Sequence, residues 1–355
     1  MTHYFYIPCY NEQASKDTLS RNVSLIFKYF VDSCIVFSDN KSEDYTLAML
    51  ENLQKQHGES IKIYKQPRNV GYANNLTNFQ QIPDESIITL LSANDLLHPR
   101  GVKYLADTIK TYPDASVYIA NWAYYTKKEK PLQSIIYRGD IQEHFVAASL
   151  NEYFHNHTYL PNGLSQYTGR KEIIEEIITY AKRGFSNPQL GILTSRRVKN
   201  IVALSNPPLI LAKHVENSGW RESKENIVRT HQSICDEVIL LLQDARERGS
   251  LEQTVYHRIA KEYLKTPILT FYNRWGTWTA LHGDQKDMIV SLMRSLFALI
   301  PRTDYRLKVF LILFLMKCQA GHVIALCRHL FTDCLLEAIV VCRLVWRPLI
   351  MPPKS

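Results

Sequence analysis

The sequence predicts an α/β fold: a mostly parallel central sheet with flanking helices, followed by a helical C-terminal region. Three observations carry this. Over residues 1–125 short apolar runs alternate with stretches of helical periodicity. Each apolar run ends in a cluster of short polar side chains. From residue 225 onward the pattern is helical almost throughout. Strand alternating with helix at this interval requires crossover connections and hence a parallel-rich sheet.

The elements follow in order. HYFYIP (3–8) reads as a strand closed by Pro-Cys-Tyr-Asn, and residues 18–30 place Leu19, Val23, Ile26, Phe27 and Phe30 at helical spacing. CIVFSDNKSED (34–44) is a strand running into a polar turn, and residues 45–58 form a helix stopped by Gly58. IKIYKQ (61–66) is a third strand, followed by the loop PRNVG and a helix from Tyr72 to Phe79. SIITLL (86–91) is a fourth strand, residues 101–112 a helix, and SVYIANWAYYT (116–126) a fifth strand. Residues 127–215 are less regular, with a helix at 171–183 and a strand at 208–213. A boundary near 220 separates a sheet domain, 1–220, from the helical region, 221–355.

Ligands of such sheets bind beyond the carboxyl ends of the strands. The polar clusters at 8–12, 38–44, 67–71 and 92–95 all lie at those ends, so they converge on one crevice.

Composition narrows the function. The 355 residues suffice for one large domain or two ordinary ones, and 46% apolar with 21% charged residues is globular. A net charge of +8 suits nucleic acid, an anionic membrane or a phosphorylated substrate. KKEK (127–130) and RRVK (196–199) are short and read as solvated faces, so nucleic acid is set aside. Seven cysteines without a CxxC pair point to a reducing compartment. The N-terminus carries no secretion signal, and no run reaches the roughly 18 apolar residues of a spanning helix. The expected location is the cytoplasm.

The four strand ends, IPCYNE, SDNKSED, RNVGYANN and LLSANDLLHPRGVKYL, together resemble the nucleotide-sugar domain of family-2 glycosyltransferases with the GT-A fold. Pro8, Tyr10, Asn11, Asp39, Ser42, Asp44, Asn69 and Gly71 fall at family-typical positions over the first 125 residues. The resemblance implies a Rossmann-like sheet that transfers a sugar from a nucleoside-diphosphate sugar to a hydroxyl of a saccharide acceptor. It implies that Pro8, Cys9, Tyr10 and Asn11 pack against base and ribose, and that Asp39 accepts hydrogen bonds from the base. Arg68, next to Asn69, would then face the phosphates, and Gly71 permits a close backbone turn. Asp39 also reads as a turn former and Arg68 as a solvated loop cation.

The fourth cluster stands where the family places its Asp-x-Asp element, which holds a divalent cation, Mn²⁺ or Mg²⁺, on the pyrophosphate. Here Ser92 and Asn94 occupy the matching positions, with Asp95 directly after. Asn94 and Asp95 are the candidate metal ligands, and Asp95 alternatively caps the following helix. The family's catalytic base comes from an acidic pair farther along, but the comparable stretch, GFSNPQLG (184–191), contains no acid. Glu172, Glu175 and Glu176 read as a solvated helix face, and His155 and His157 as an irregular loop; the base is unassigned. The resemblance extends to the abequosyltransferase-like O-antigen branch, in lipopolysaccharide or capsule synthesis.

Residues 302–355 are strongly apolar but cut by Lys317, Arg328, Glu337, Arg343 and Arg347. They read either as helices lying in a membrane interface or as a buried helical bundle. The first would place the crevice beside a polyprenyl-linked acceptor at the cytoplasmic face of the inner membrane. Two other functions fit less well: a GT-A scaffold or assembly subunit without chemistry, and a nucleotidyltransferase, which needs a Gly-rich loop that PCYNEQASKD lacks.

Overall fold

The structure is a computed structural model that describes residues 1–125, 135–138, 141, 143–157, 160–161, 163–213, 237–260 and 263. The KKEK segment and the apolar 302–355 segment lie outside the described residues. Contacts divide the chain into two units, residues 1–221 with 237–259, and residues 222–236 with 260–355. Every element named below lies in the first; of the second, only Ala260 and Tyr263 are described. Among the described residues no helix is long and apolar enough to cross a membrane.

The first half alternates as expected: β1 (His3–Cys9), α1 (Lys16–Tyr29), β2 (Cys34–Asp39), α2 (Thr46–His57), β3 (Ile61–Lys65), α3 (Tyr72–Leu76) and β4 (Ile87–Leu90). A short β5 (Leu96–Leu97) precedes α4 (Pro99–Thr111), β6 (Val117–Ala120) and β7 (Trp122–Tyr125). Then come β8 (Ile135–Arg138), β9 (Phe145–Ala147), α5 (Leu150–Asn156), β10 (Tyr167–Arg170), α6 (Lys171–Ile174), α7 (Glu176–Lys182), β11 (Ile201–Leu204) and β12 (Ile210–Lys213).

Eight strands form the main sheet in the order β3-β2-β1-β4-β10-β6-β11-β9, and four form a second sheet in the order β5-β12-β7-β8. β3, β2, β1 and β4 are mutually parallel; β10 runs antiparallel between β4 and β6. Register places Cys9 opposite Asp39 and Asp39 opposite Lys65, while Tyr6 pairs with Leu90. The four carboxyl ends therefore open on one side.

The helices cover this sheet because their apolar stripes require it. Leu19, Val23 and Ile26 of α1, Leu50 and Leu53 of α2, and Val102 and Leu105 of α4 are buried against Phe5, Ile7, Ile35 and Phe37. Each such side chain contributes about 1.5–3 kcal/mol on burial.

Three expected elements differ in detail. The strand expected at 116–126 is two strands in different sheets. At the buried Asn121 the carbonyl accepts from the Leu209 N–H (2.9 Å) and the side chain donates to the Ile141 carbonyl (2.9 Å), which turns the chain out of the main sheet. The helix expected at 171–183 breaks at Glu175. The helix expected at 101–112 begins two residues earlier, with Pro99 at its first position and the His98 ring accepting from the Gly101 N–H (3.3 Å). A Cβ at Gly101 would lie 2.0 Å from the Pro208 carbonyl oxygen, so only glycine lets α4 start this close to the 208–209 backbone.

Candidate active site

The first two strand ends are stitched together by backbone-to-side-chain bonds. Asn11, held at a φ of 54°, donates its N–H to Ser42 Oγ (3.0 Å) and accepts from the Glu43 N–H (2.9 Å). The Glu12 N–H reaches Thr46 Oγ1 (2.6 Å) and the Gln13 N–H reaches Asp44 (3.1 Å). Asp44 also accepts from the Thr46 N–H at the start of α2 (2.9 Å). Burial acts against the Asp44 charge, but the bonds from Thr46 and Gln13 prevail and hold the carboxyl below its usual range. Ser42 and Asp44 thus shape the loop.

Asp39 is buried at the end of β2, and both its oxygens accept only long bonds, 3.3–3.4 Å, from the Ser42 N–H. The turn engages the carboxylate weakly and leaves it acceptor capacity. Beside it, the Asn40 N–H donates to the Cys9 carbonyl (2.9 Å), and the Asn40 amide donates to Asn69 Oδ1 (2.8 Å) and accepts from the Val70 N–H (2.9 Å). Asn69 Oδ1 in turn accepts from the Gly71 N–H (2.9 Å). Gly71 sits at a φ of +80° with open space where a Cβ would be, so its conformation is what glycine supplies. Pro8 is half-buried, and Tyr10 and Arg68 are exposed. Burial, with the Glu12 and Asp39 carboxylates adding to it, pushes the Cys9 thiol well up, so Cys9 is wall and not nucleophile.

The Ser92–Asp95 turn closes through the Asp95 N–H to the Ser92 carbonyl (3.1 Å). Two buried residues anchor it from outside. Asn22 of α1 donates to the Asp95 carbonyl (2.7 Å) and accepts from the Leu97 N–H (2.9 Å). Ser165, just before β10, donates to Asp95 Oδ2 (2.6 Å) and accepts from the Ser92 N–H (2.7 Å). Desolvation, with the Glu12 charge adding to it and the Ser165 bond opposing, raises the Asp95 carboxyl to about 6. His98 caps α4, so the capping alternative for Asp95 falls away. Tyr72 stands at the start of α3; shielding of its phenol and the Asp95 charge both raise its pKa, while the ring remains exposed.

The divalent cation that the resemblance implies meets a poor donor set. Asp95 is the one carboxylate of the turn, and the neutral oxygens of Ser92 and Asn94 engage each other at 2.7 Å. Among the described residues no group of three His, Cys, Asp or Glu side chains could hold a metal. A hard cation prefers six or more oxygens, several of them anionic. The residues present do not form a resident metal cage.

Two of the base candidates, Glu175 and Glu176, are engaged in ion pairs. Glu176 pairs with Arg248, and Glu175 lies 3.8 Å from Lys171. Glu172 lies on the short α6. His155 is exposed on α5, and the His157 ring packs edge-on against Tyr153 (5.4 Å). The acid-free 184–191 stretch does receive a carboxylate from afar. Glu237 accepts from the Ser186 N–H and Oγ (2.6 Å each) and from the Asn187 N–H (3.1 Å). Those bonds occupy it in holding the turn.

The model of the family described as Glycosyl transferase family 2 matches residues 4–167. The matched segment runs from the second residue of β1 to the first of β10, and so contains all four strand ends and Ser165. The crystal structure of S. aureus TarS residues 1–349 is similar in fold, with a TM-score of 0.57 at 14% identity over 93% of this chain and 91% of that one. Its complex with UDP-GlcNAc gives a TM-score of 0.58 at 14% identity over 93% and 92%. At that identity the likeness is one of fold, and the fold is GT-A. No curated protein matches the sequence.

The polar strand ends are contiguous in the sequence, whereas Asn22 and Ser165, which anchor the Ser92–Asp95 turn, come from distant positions. Asn22 was legible as a polar residue inside the Leu19–Val23–Ile26 stripe of α1. Ser165 carries no local signal, because nothing in an irregular stretch says which hydroxyl will meet a turn 70 residues away.

Proposed function

We propose that the crevice binds a nucleoside-diphosphate sugar and that the protein transfers the sugar to a hydroxyl of a saccharide acceptor. The observation that carries this reading is the convergence of four hydrogen-bonded polar strand ends within one family 2 domain. The nucleotide end lies against Pro8, Tyr10 and Asp39, the phosphates against the Arg68–Gly71 loop. Asp95 offers its second oxygen to a sugar hydroxyl. TarS has been captured with UDP and UDP-GlcNAc, which supports a nucleotide-linked donor. Calorimetry with UDP-, GDP- and CDP-sugars, UDP-GlcNAc among them, with and without Mn²⁺ or Mg²⁺, should find at least one ligand. Binding of none would end the transferase reading.

Asp39 gives a sharper test of the same crevice. Asp39→Asn keeps an oxygen for the Ser42 N–H but removes the anion, so it should weaken nucleotide binding about 10- to 100-fold, as loss of one hydrogen bond to a charged group does. Wild-type affinity in Asp39→Asn would make the residue a turn former only.

The acceptor we propose is saccharide carried on a polyprenyl lipid at the cytoplasmic face of the inner membrane, in O-antigen or capsule synthesis. The net charge of +8 and the apolar, Lys/Arg-interrupted C-terminus support contact with an anionic membrane. The full chain should co-float with anionic liposomes at low salt; a chain that stays at the bottom of the gradient loses this part of the reading. A scaffold without chemistry has one observation in its favour, the commitment of Glu237 to its turn. Donor binding without turnover on a lipid-linked acceptor would favour it.

A further inference from the structure

We infer that Ser165 is a positioning residue for Asp95, and that the two side chains act as one unit on the sugar side of the crevice. The inference rests on the reading of Asp95 as the crevice's working carboxylate. Its basis is the polarity of a hydroxyl with one proton. Ser165 is fully buried, and its Oγ meets two groups, the Ser92 N–H at 2.7 Å and Asp95 Oδ2 at 2.6 Å. A backbone N–H can only donate, so Oγ must be its acceptor. The hydroxyl proton therefore points to Asp95, and Oδ2 is the accepting oxygen. Among the described residues, Asp95 Oδ1 has no hydrogen-bond donor. The hydroxyl thus decides which carboxylate oxygen is spent on the scaffold and which is left for a ligand.

The same atom links two parts of the turn that must not move independently. Ser92 begins it and Asp95 ends it, and the internal bond between them is the longer one at 3.1 Å. Without Oγ the Ser92 N–H loses its acceptor and the Asp95 carboxylate is free to rotate about its side-chain bonds. Asn22 continues to hold the Asp95 backbone through its carbonyl, so the main chain stays in place while the carboxylate does not. Ser165 reaches the ligand site through the Asp95 carboxylate and the Ser92 backbone.

The test is a double-mutant cycle followed by a turnover measurement. Ser165→Ala, Asp95→Ala and the double variant are unfolded in urea without donor. The factor by which Ser165→Ala raises the unfolding constant should be about tenfold smaller in the Asp95→Ala background, within the range seen for directly bonded pairs. Equal factors in the two backgrounds would overturn the pairing. Release of nucleoside diphosphate from the best-bound nucleotide sugar of the calorimetric panel is then followed. Ser165→Ala should lower kcat about 10- to 100-fold with donor affinity little changed, and Ser165→Thr, which retains the hydroxyl, should recover most of the rate. A wild-type rate in Ser165→Ala, despite coupling in the cycle, would reduce Ser165 to a structural hydroxyl. A wild-type protein that binds no nucleotide sugar defeats the transferase reading instead, a separate result because the cycle needs no donor.

Discussion

Asp95→Asn is expected to make the protein more stable at pH 7.5 and much less active. Burial raises the Asp95 carboxyl from 3.8 to about 6. The folded state therefore holds a proton that the unfolded chain gives up between about pH 4 and pH 6. Stability is fully present below pH 4 and is lost as pH rises through that window. Two units at 1.36 kcal/mol each amount to about 3 kcal/mol. Asparagine resembles the protonated acid in shape and neutrality and still accepts from Ser165. Urea midpoints at pH 4, 5, 6 and 7.5 should coincide for the two proteins at the acid end and diverge toward neutrality. Parallel curves would show that Asp95 is not held ionised at a cost. The same variant removes the anion from the crevice, and turnover should drop about 10- to 100-fold or more. A carboxylate that weakens the fold at working pH and stands at the mouth of the crevice has the signature of function.

The fold was legible because parallel sheets announce themselves. β1, β2 and β4 are buried along almost their whole length and read as continuous apolar runs, and Gly58 stops α2 where glycine should. The site was legible only in its rim, since a strand end shows its polar cluster in contiguous sequence. What the sequence hid are the cross-chain partners. β10 is four residues, YTGR, with no alternation to mark it, yet it sits between β4 and β6 and brings Ser165 to the Ser92–Asp95 turn. Glu237 reaches the 186–187 turn from 50 residues downstream in the same way. Such placements follow from strand order, which local periodicity does not encode. The Asp-x-Asp comparison located the turn, but the bonds between Ser92, Asn94, Asp95 and Ser165 are what describe its chemistry.

His3→Gln should have the opposite pH signature from Asp95→Asn, and the two together explain each other. His3 stands at the start of β1, opposite Ile87 at the start of β4, so it lies at the far end of the strands from the crevice. Its ring stacks on Phe5 at 4.7 Å, meets Phe30 edge-on at 4.5 Å, and shares a hydrogen bond with Thr89 Oγ1 at 2.8 Å. Burial there pushes the imidazole from 6.5 down to about 3. The unfolded chain binds a proton between about pH 6.5 and pH 3 that the folded state refuses, so stability falls as pH falls through that window. The full span is about 5 kcal/mol, and about 3 kcal/mol is lost by pH 4.5. Glutamine cannot titrate. It forfeits aromatic packing, about 1–2 kcal/mol at pH 7.5, but should overtake the wild type near pH 5. Between pH 4 and pH 6 the His3 slope, about 1.4 kcal/mol per unit, runs against the Asp95 slope of similar size. Each single variant should therefore steepen the pH profile in its own direction, Asp95→Asn toward acid lability and His3→Gln toward weakness at neutral pH. The double variant should restore a profile parallel to the wild type over that interval. A double variant steeper than either single one would mean that the two ends of the sheet titrate through a shared structural change, and the assignment of one slope to each residue would have to be withdrawn.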